Sequence, residues 1–146
     1  MHVRKLIRDN IETTLTGLTT TGANVYQTRV YPLAEDRLPG LAIFTKTENT
    51  EYATIGPPRT QIRTLVVSVE IYVKGVINFD DDLDAISVEV EHALYSDRTR
   101  GGNAKDTRIL SFDADFSGDG DQPVARATLD VECEYATLEN NVETAV

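Results

Sequence analysis

Residues 125–135 read ARATLDVECEY, with Ala125, Ala127, Leu129, Val131, Cys133 and Tyr135 on one side of an alternation and Arg126, Thr128, Asp130, Glu132 and Glu134 on the other. Successive side chains of a strand point to opposite faces, so this period of two specifies a strand with one face in a core and the other turned outward. Just upstream, SGDGDQP (117–123) supplies a hairpin turn, because glycine reaches positive φ without penalty and aspartate bonds to its own backbone. Ahead of the turn, Leu110, Phe112, Ala114 and Phe116 alternate with Ser111, Asp113 and Asp115, which predicts a second strand antiparallel to the first. Residues 138–146 have no period and are expected to form a flexible tail.

Further upstream, Leu65, Val67, Val69, Ile71 and Val73 share one face of a long strand whose other face, Val66, Ser68, Glu70 and Tyr72, is mixed. Between this strand and the hairpin, Leu83, Ile86, Val90, Ala93 and Leu94 recur at helical spacing. Asp80, Asp81 and Asp82 stand where acids cap a helix and complement its dipole. At the N-terminus Val3, Leu6, Ile7, Ile11, Leu15 and Leu18 make the stripe of another amphipathic helix, with Arg4, Lys5, Arg8, Asp9 and Glu12 off it. A short strand is expected over 25–31 and a linker from Pro32 to Pro39. Residues 41–46 (LAIFTK) then read as a strand covered on both faces. Polar connections follow at 47–60 and 97–107. The order α-β-β-β-α-β-β predicts one α+β domain over 1–137, with two helices packed on a single mixed, mainly antiparallel sheet. Its edge strands stay open unless another subunit covers them.

A chain of 146 residues can bury roughly 68–70% of its unfolded surface, enough for a core. Its 14 basic and 24 acidic residues leave a net charge of −10. That balance argues against a general nucleic-acid binder, which needs Lys and Arg on phosphates. The single Cys133 cannot close an intrachain disulfide and suits a reducing cytosol. Charged residues interrupt the N-terminal apolar positions, unlike a signal peptide. No run approaches the roughly 20 apolar residues of a membrane span, so no membrane partner is expected.

Groups with chemical potential are few. Asp113, Asp115, Asp119 and Asp121 could offer hard oxygen ligands to calcium or magnesium and so support a metal-dependent hydrolase. Their spacing lacks the twelve-residue calcium loop and its terminal Glu, and a Gly/Asp turn flanked by outward strand acids is the simpler reading. His92 is the one histidine away from the terminus and lies beside an apolar stripe. Cys133 sits on an inward strand face, where a thiol acts as a small hydrophobe. No phosphate loop and no zinc-spaced pair occurs. The expectation is a protein without catalytic residues, metal or cofactor. A small-ligand domain is disfavoured because core stripes account for the apolar positions. Arg98, Arg100 and Lys105, in DRTRGGNAKD, are the basic cluster outside the first helix and are expected to meet acids on a neighbouring subunit.

The residues Arg29-Val30-Tyr31-Pro32 and then Asp36-Arg37-Leu38-Pro39-Gly40-Leu41-Ala42-Ile43-Phe44-Thr45 resemble the start of the phage tail terminator family, the lambda-like minor tail protein U family. Agreement continues through the strand 67–73, the helix from Leu83 to Leu94 and a last strand ending in Glu134-Tyr135, so the resemblance covers most of 3–137. It implies a structural subunit of a homo-hexameric ring at the head-proximal end of the virion tail, assembled in the host cytoplasm. Such a ring stops addition of tail tube protein, presents the surface that joins a head-closure or neck protein, and lets DNA pass in transit. An acidic lumen would keep the duplex from sticking. The family carries no catalytic residues to transfer. Within this frame the connection 49–59 is expected to touch the tube, with Tyr52 and Ile55 as apolar anchors stiffened by Pro57 and Pro58. A head-closure or tail-completion protein is the alternative with the same composition.

Overall fold

The alternating stretch at 125–135 lies near the middle of the sheet, where its two faces meet very different surroundings. A computed structural model describes residues 1–32, 34–75, 77–117 and 123–146. Its elements are α1 (Val3–Leu15), β1 (Val25–Tyr26), a 3-10 turn (Glu35–Arg37), β2 (Gly40–Tyr52), β3 (Thr60–Lys74), α2 (Phe79–Tyr95), β4 (Asp106–Ser117), β5 (Val124–Leu138) and β6 (Asn141–Ala145). The strands form one mixed sheet in the order β1-β2-β3-β5-β4, with β6 paired to β5. Among the described residues β1 and β2 run parallel and the other pairings are antiparallel. The α+β class with two helices on a single sheet is therefore as expected.

Both helices cover the face that carries Leu65, Val67, Val69 and Ile71 of β3 and Ala127, Leu129, Val131 and Cys133 of β5. From α1 this core receives Val3, Ile7, Ile11 and Leu15, each four residues from the next and so on one side of the helix. From α2 it receives Leu83, Ile86, Val90 and Leu94. Burying each such side chain contributes about 1.5–3 kcal/mol before chain entropy is counted.

The opposite face is covered in one corner only. Instead of a strand over 25–31, pairing stops after Tyr26 and the chain folds back under the sheet, where Tyr31 stacks on Tyr72 with ring centroids 4.6 Å apart. The Tyr31 hydroxyl donates to the Arg37 carbonyl, and burial pushes its pKa up to about 12. A Cβ at position 40 would lie 1.6 Å from that hydroxyl, so glycine is required there. Aromatic stacking and burial thus outweigh the β-propensity of 27–31.

The rest of this lower face is largely polar. Lys46 Nζ donates to Asp130 Oδ2 at 2.7 Å and Ser68 Oγ to Asp130 Oδ1 at 2.8 Å. Burial alone would push the Asp130 carboxyl up, but the hydrogen bonds from Lys46 and Ser68 and the Lys46 charge together hold it below its usual range. Its folded pKa therefore lies below its unfolded one, so this group's stabilisation is fully present above about pH 4 and lost as pH falls through the lower folded value. Urea midpoints followed from neutral pH down to pH 2 are expected to fall less steeply in Asp130→Asn than in the wild type. Parallel curves would show that the carboxylate is not the group responsible.

Three sequence expectations change. Residues 141–145 form β6, and Val146 N donates to Ala136 O at 2.9 Å, so the stretch 138–146 is docked on the sheet. A five-residue strand is too short for a period of two to stand out. Half of the connection 47–60 is strand: β2 runs to Tyr52 and β3 begins at Thr60. Finally, α2 starts after Asn78, which has φ 59° and makes no side-chain cap bond, so Asp80, Asp81 and Asp82 occupy the first turn and act on the helix dipole alone.

Candidate interaction surfaces

The ends of β2, β3 and β5 run on together past the helices and carry the exposed tip 53–59. Their root is held by a buried polar network on the helix side. Arg4 Nη1 lies 2.5 Å and Arg63 Nη1 2.9 Å from Glu48 Oε2, while the Tyr135 hydroxyl donates to Glu48 Oε1. Arg63 is completed by Gln61 Oε1 at 2.6 Å and Thr137 Oγ1 at 3.2 Å. Burial, with the Glu48 carboxylate beside it, raises the Tyr135 pKa and keeps the phenol a donor.

At the far end, Ala53 N donates to Thr60 O at 2.8 Å, Arg59 stacks over the Tyr52 ring at 4.6 Å, and Arg59 Nε reaches Glu139 at 2.9 Å. Ile55 is 97% exposed at the outermost point, beside a cis Pro57–Pro58 peptide. Tyr52, Ile55, Pro57 and Pro58 thus lie on one exposed hairpin end.

Arg98, Arg100 and Lys105 are not brought together. Arg100 is 0% exposed: its Nη2 donates to the Leu94 carbonyl at 2.5 Å and to the Asp97 carbonyl, closing the C-terminal end of α2 from inside. It cannot meet a neighbouring subunit, which corrects the expectation for that residue. A positive φ of 51° turns the chain so that the side chain points inward, and the following Gly101 and Gly102 accept the same left-handed backbone. Arg98 pairs with Asp106 of its own chain at 2.9 Å, and Lys105 is exposed.

Of the acidic candidates, Asp113 and Asp115 lie on the lower side of β4, with Asp115 3.4 Å from Arg126 Nη2. Asp119 and Asp121 lie outside the described residues. Among the described residues no group of three or more His, Cys, Asp or Glu side chains is gathered as a metal would require. Cys133 is buried, and burial pushes its thiol pKa up. His92 is exposed on α2 beside a shallow recess toward β4. Among the described residues no helix is long and apolar enough to cross a membrane.

The β4 margin was not singled out in the sequence. Phe112 pairs with Leu129 and Phe116 with Ala125, so both stand on the helix side, yet they remain 40% and 46% exposed. β4 is the last strand of the sheet and α2 covers only its nearer side; the Phe79 ring over Phe116, at 4.9 Å, is the main cover there. Leu110 stands at a bulge between Ile109 and Ser111. The signal was the Ile109-Leu110 pair, two apolar residues in succession where strict alternation allows one.

No protein-family model matches the chain, and no curated protein matches it. Among solved structures, the chain is similar to one from a particle described as the virion of a native gene transfer agent, with 14% identity, a TM-score of 0.37, and coverage of 91% of this chain and 92% of that one.

Proposed function

We propose that this protein is a structural tail terminator, a subunit of a ring that caps the tail tube of a long-tailed phage and offers the surface for head joining. The observation that carries the reading is the exposed tip 53–59: Ile55 is 97% and Tyr52 54% exposed, on a hairpin whose root carries the buried Glu48–Arg63 pair, a geometry suited to gripping the end of a tube. The sequence resemblance around Tyr31 and 36–45 supports it, since those residues here build the aromatic corner and the entry to β2. On this reading the protein works by binding: its partners are further copies of itself in a homo-hexamer, the tail tube protein and a neck protein, with DNA passing through the lumen. It needs no catalytic group or cofactor, and its place is the head-proximal end of the tail in the virion.

Electron microscopy of tails assembled without the protein is expected to show overlong tubes. Normal-length tails that fail to join heads would indicate a head-closure or tail-completion protein instead. The double variant Tyr52→Ser/Ile55→Ser is expected to fold as the wild type, because both side chains are exposed, but to leave tubes uncapped. Normal tail lengths with this variant would place the tube contact elsewhere.

A further inference from the structure

The sheet has two free margins of unlike character. One is β4 with the flank of α2, where Ile109, Phe112, Phe116 and the 72% exposed Tyr95 make an apolar strip. α2 itself carries Asp80, Asp81, Asp82, Asp84, Glu89 and Glu91 and no lysine or arginine; Glu91 lines the recess toward Ile109 together with Arg98 from the following loop, whereas Glu89 accepts from Thr20. The other margin is β2, which β1 covers only at Leu41 and Ala42. Arginines flank this second margin. Arg4 reaches Glu48 at 2.5 Å, Arg8 reaches Thr45 Oγ1 at 2.7 Å, and Arg29 reaches the Thr45 carbonyl at 2.6 Å and lies over the Phe44 ring.

The geometry points to a head-to-tail contact in which the β4–α2 margin of one copy docks on the β2–α1 margin of the next. Three antiparallel pairings separate β2 from β4, so the two strands run in opposite directions. Copies set side by side with the same face up would therefore meet as an antiparallel pair, the more stable ladder. Acidic α2 would face the arginine-lined flank, while the apolar strip of β4 leaves water. A two-fold contact of β4 with β4 would set the two acidic helices against each other, and this disfavours the isologous arrangement. The bulge at 109–111 breaks the β4 margin, so an arbitrary strand adds poorly and side-chain fit selects the partner. A heterologous contact of this kind closes into a ring when its rotation divides the circle. This inference rests on the ring reading and adds the surfaces that make the ring.

The test uses two variants, each with one margin disabled: Ile109→Glu/Phe112→Glu on β4, and Arg8→Glu/Arg29→Glu on the β2 side. Each is checked by circular dichroism and cooperative melting, then examined by native mass spectrometry with and without tail tube protein. Wild type is expected to give closed oligomers. Each variant alone is expected to be monomeric, and their equimolar mixture to give a dimer and nothing larger, because one intact margin remains on each. Should the β4 variant fold poorly, Asp84→Lys/Glu91→Lys on the exposed side of α2 replaces it. It is expected to weaken association about a hundredfold and to regain it with Arg8→Glu/Arg29→Glu. Oligomers that persist in both margin variants would overturn the proposed contact and leave the ring reading standing. Wild type that stays monomeric even with tube protein would remove the ring reading as well.

Discussion

Glu48→Ala is expected to lower the free energy of unfolding by about 3–5 kcal/mol, the range for removing one partner of a buried ion pair. A domain of this kind has only about 5–15 kcal/mol to lose. The Glu48 side chain is 7% exposed and accepts from three groups at once, Arg4, Arg63 and Tyr135. Without the carboxylate, Arg63 is left with Gln61 and Thr137, and two cations share a site that had one anion between them. Urea denaturation measures the effect directly, and Glu48→Gln is expected to fall between wild type and Ala because it keeps one acceptor. A loss below about 1 kcal/mol, the range of exposed pairs, would show that water reaches the network.

Arg100→Glu is expected to cost as much, about 3–5 kcal/mol, by reversing the charge of a fully buried group. The new carboxylate would face the Leu94 and Asp97 carbonyls, which now accept from Arg100 Nη2, so a donor is replaced by another acceptor at the negative end of α2. Burial already presses the guanidinium pKa down, with Cys133 and Asp97 acting the other way, so the site tolerates a cation only while those carbonyls bind it. Arg98→Glu is the control: its pair with Asp106 is exposed, and its loss should cost no more than about 1 kcal/mol. Thermal melts of the two single variants separate the roles. Equal, small shifts would mean that Arg100 faces solvent.

Arg100 also shows where sequence reading stops. Nothing in DRTRGGNAKD distinguishes Arg98 from Arg100, because the difference is one backbone dihedral that points the second inward. Periodicity is a property of elements, and it located both helices and the faces of β3 and β5. It could not say that Tyr31 would leave a β-prone run to stack on Tyr72, since that partner lies far along the chain. Glu48 lay in the polar connection 47–60, and nothing in the sequence paired it with Arg63; their meeting depends on the β2–β3 register and on where α1 begins. The tip residues Tyr52, Ile55, Pro57 and Pro58 were legible as apolar residues in a polar stretch, although the strands that brace them were not. On β4 the apolar alternation was visible, but whether a helix would cover it was not.

During synthesis β5 emerges after β2, β3 and β4, yet it lies between β3 and β4 and pairs with both along its length. Until it is made, β4 has no neighbour and its apolar side chains have no platform. The nascent chain can hold only the β2–β3 hairpin and isolated helices, which are marginal on their own. Inserting β5 between β3 and β4 so late makes maturation of this part of the sheet a late event. On the ring reading, unfinished chains would then lack the β4 surface that docks the next copy.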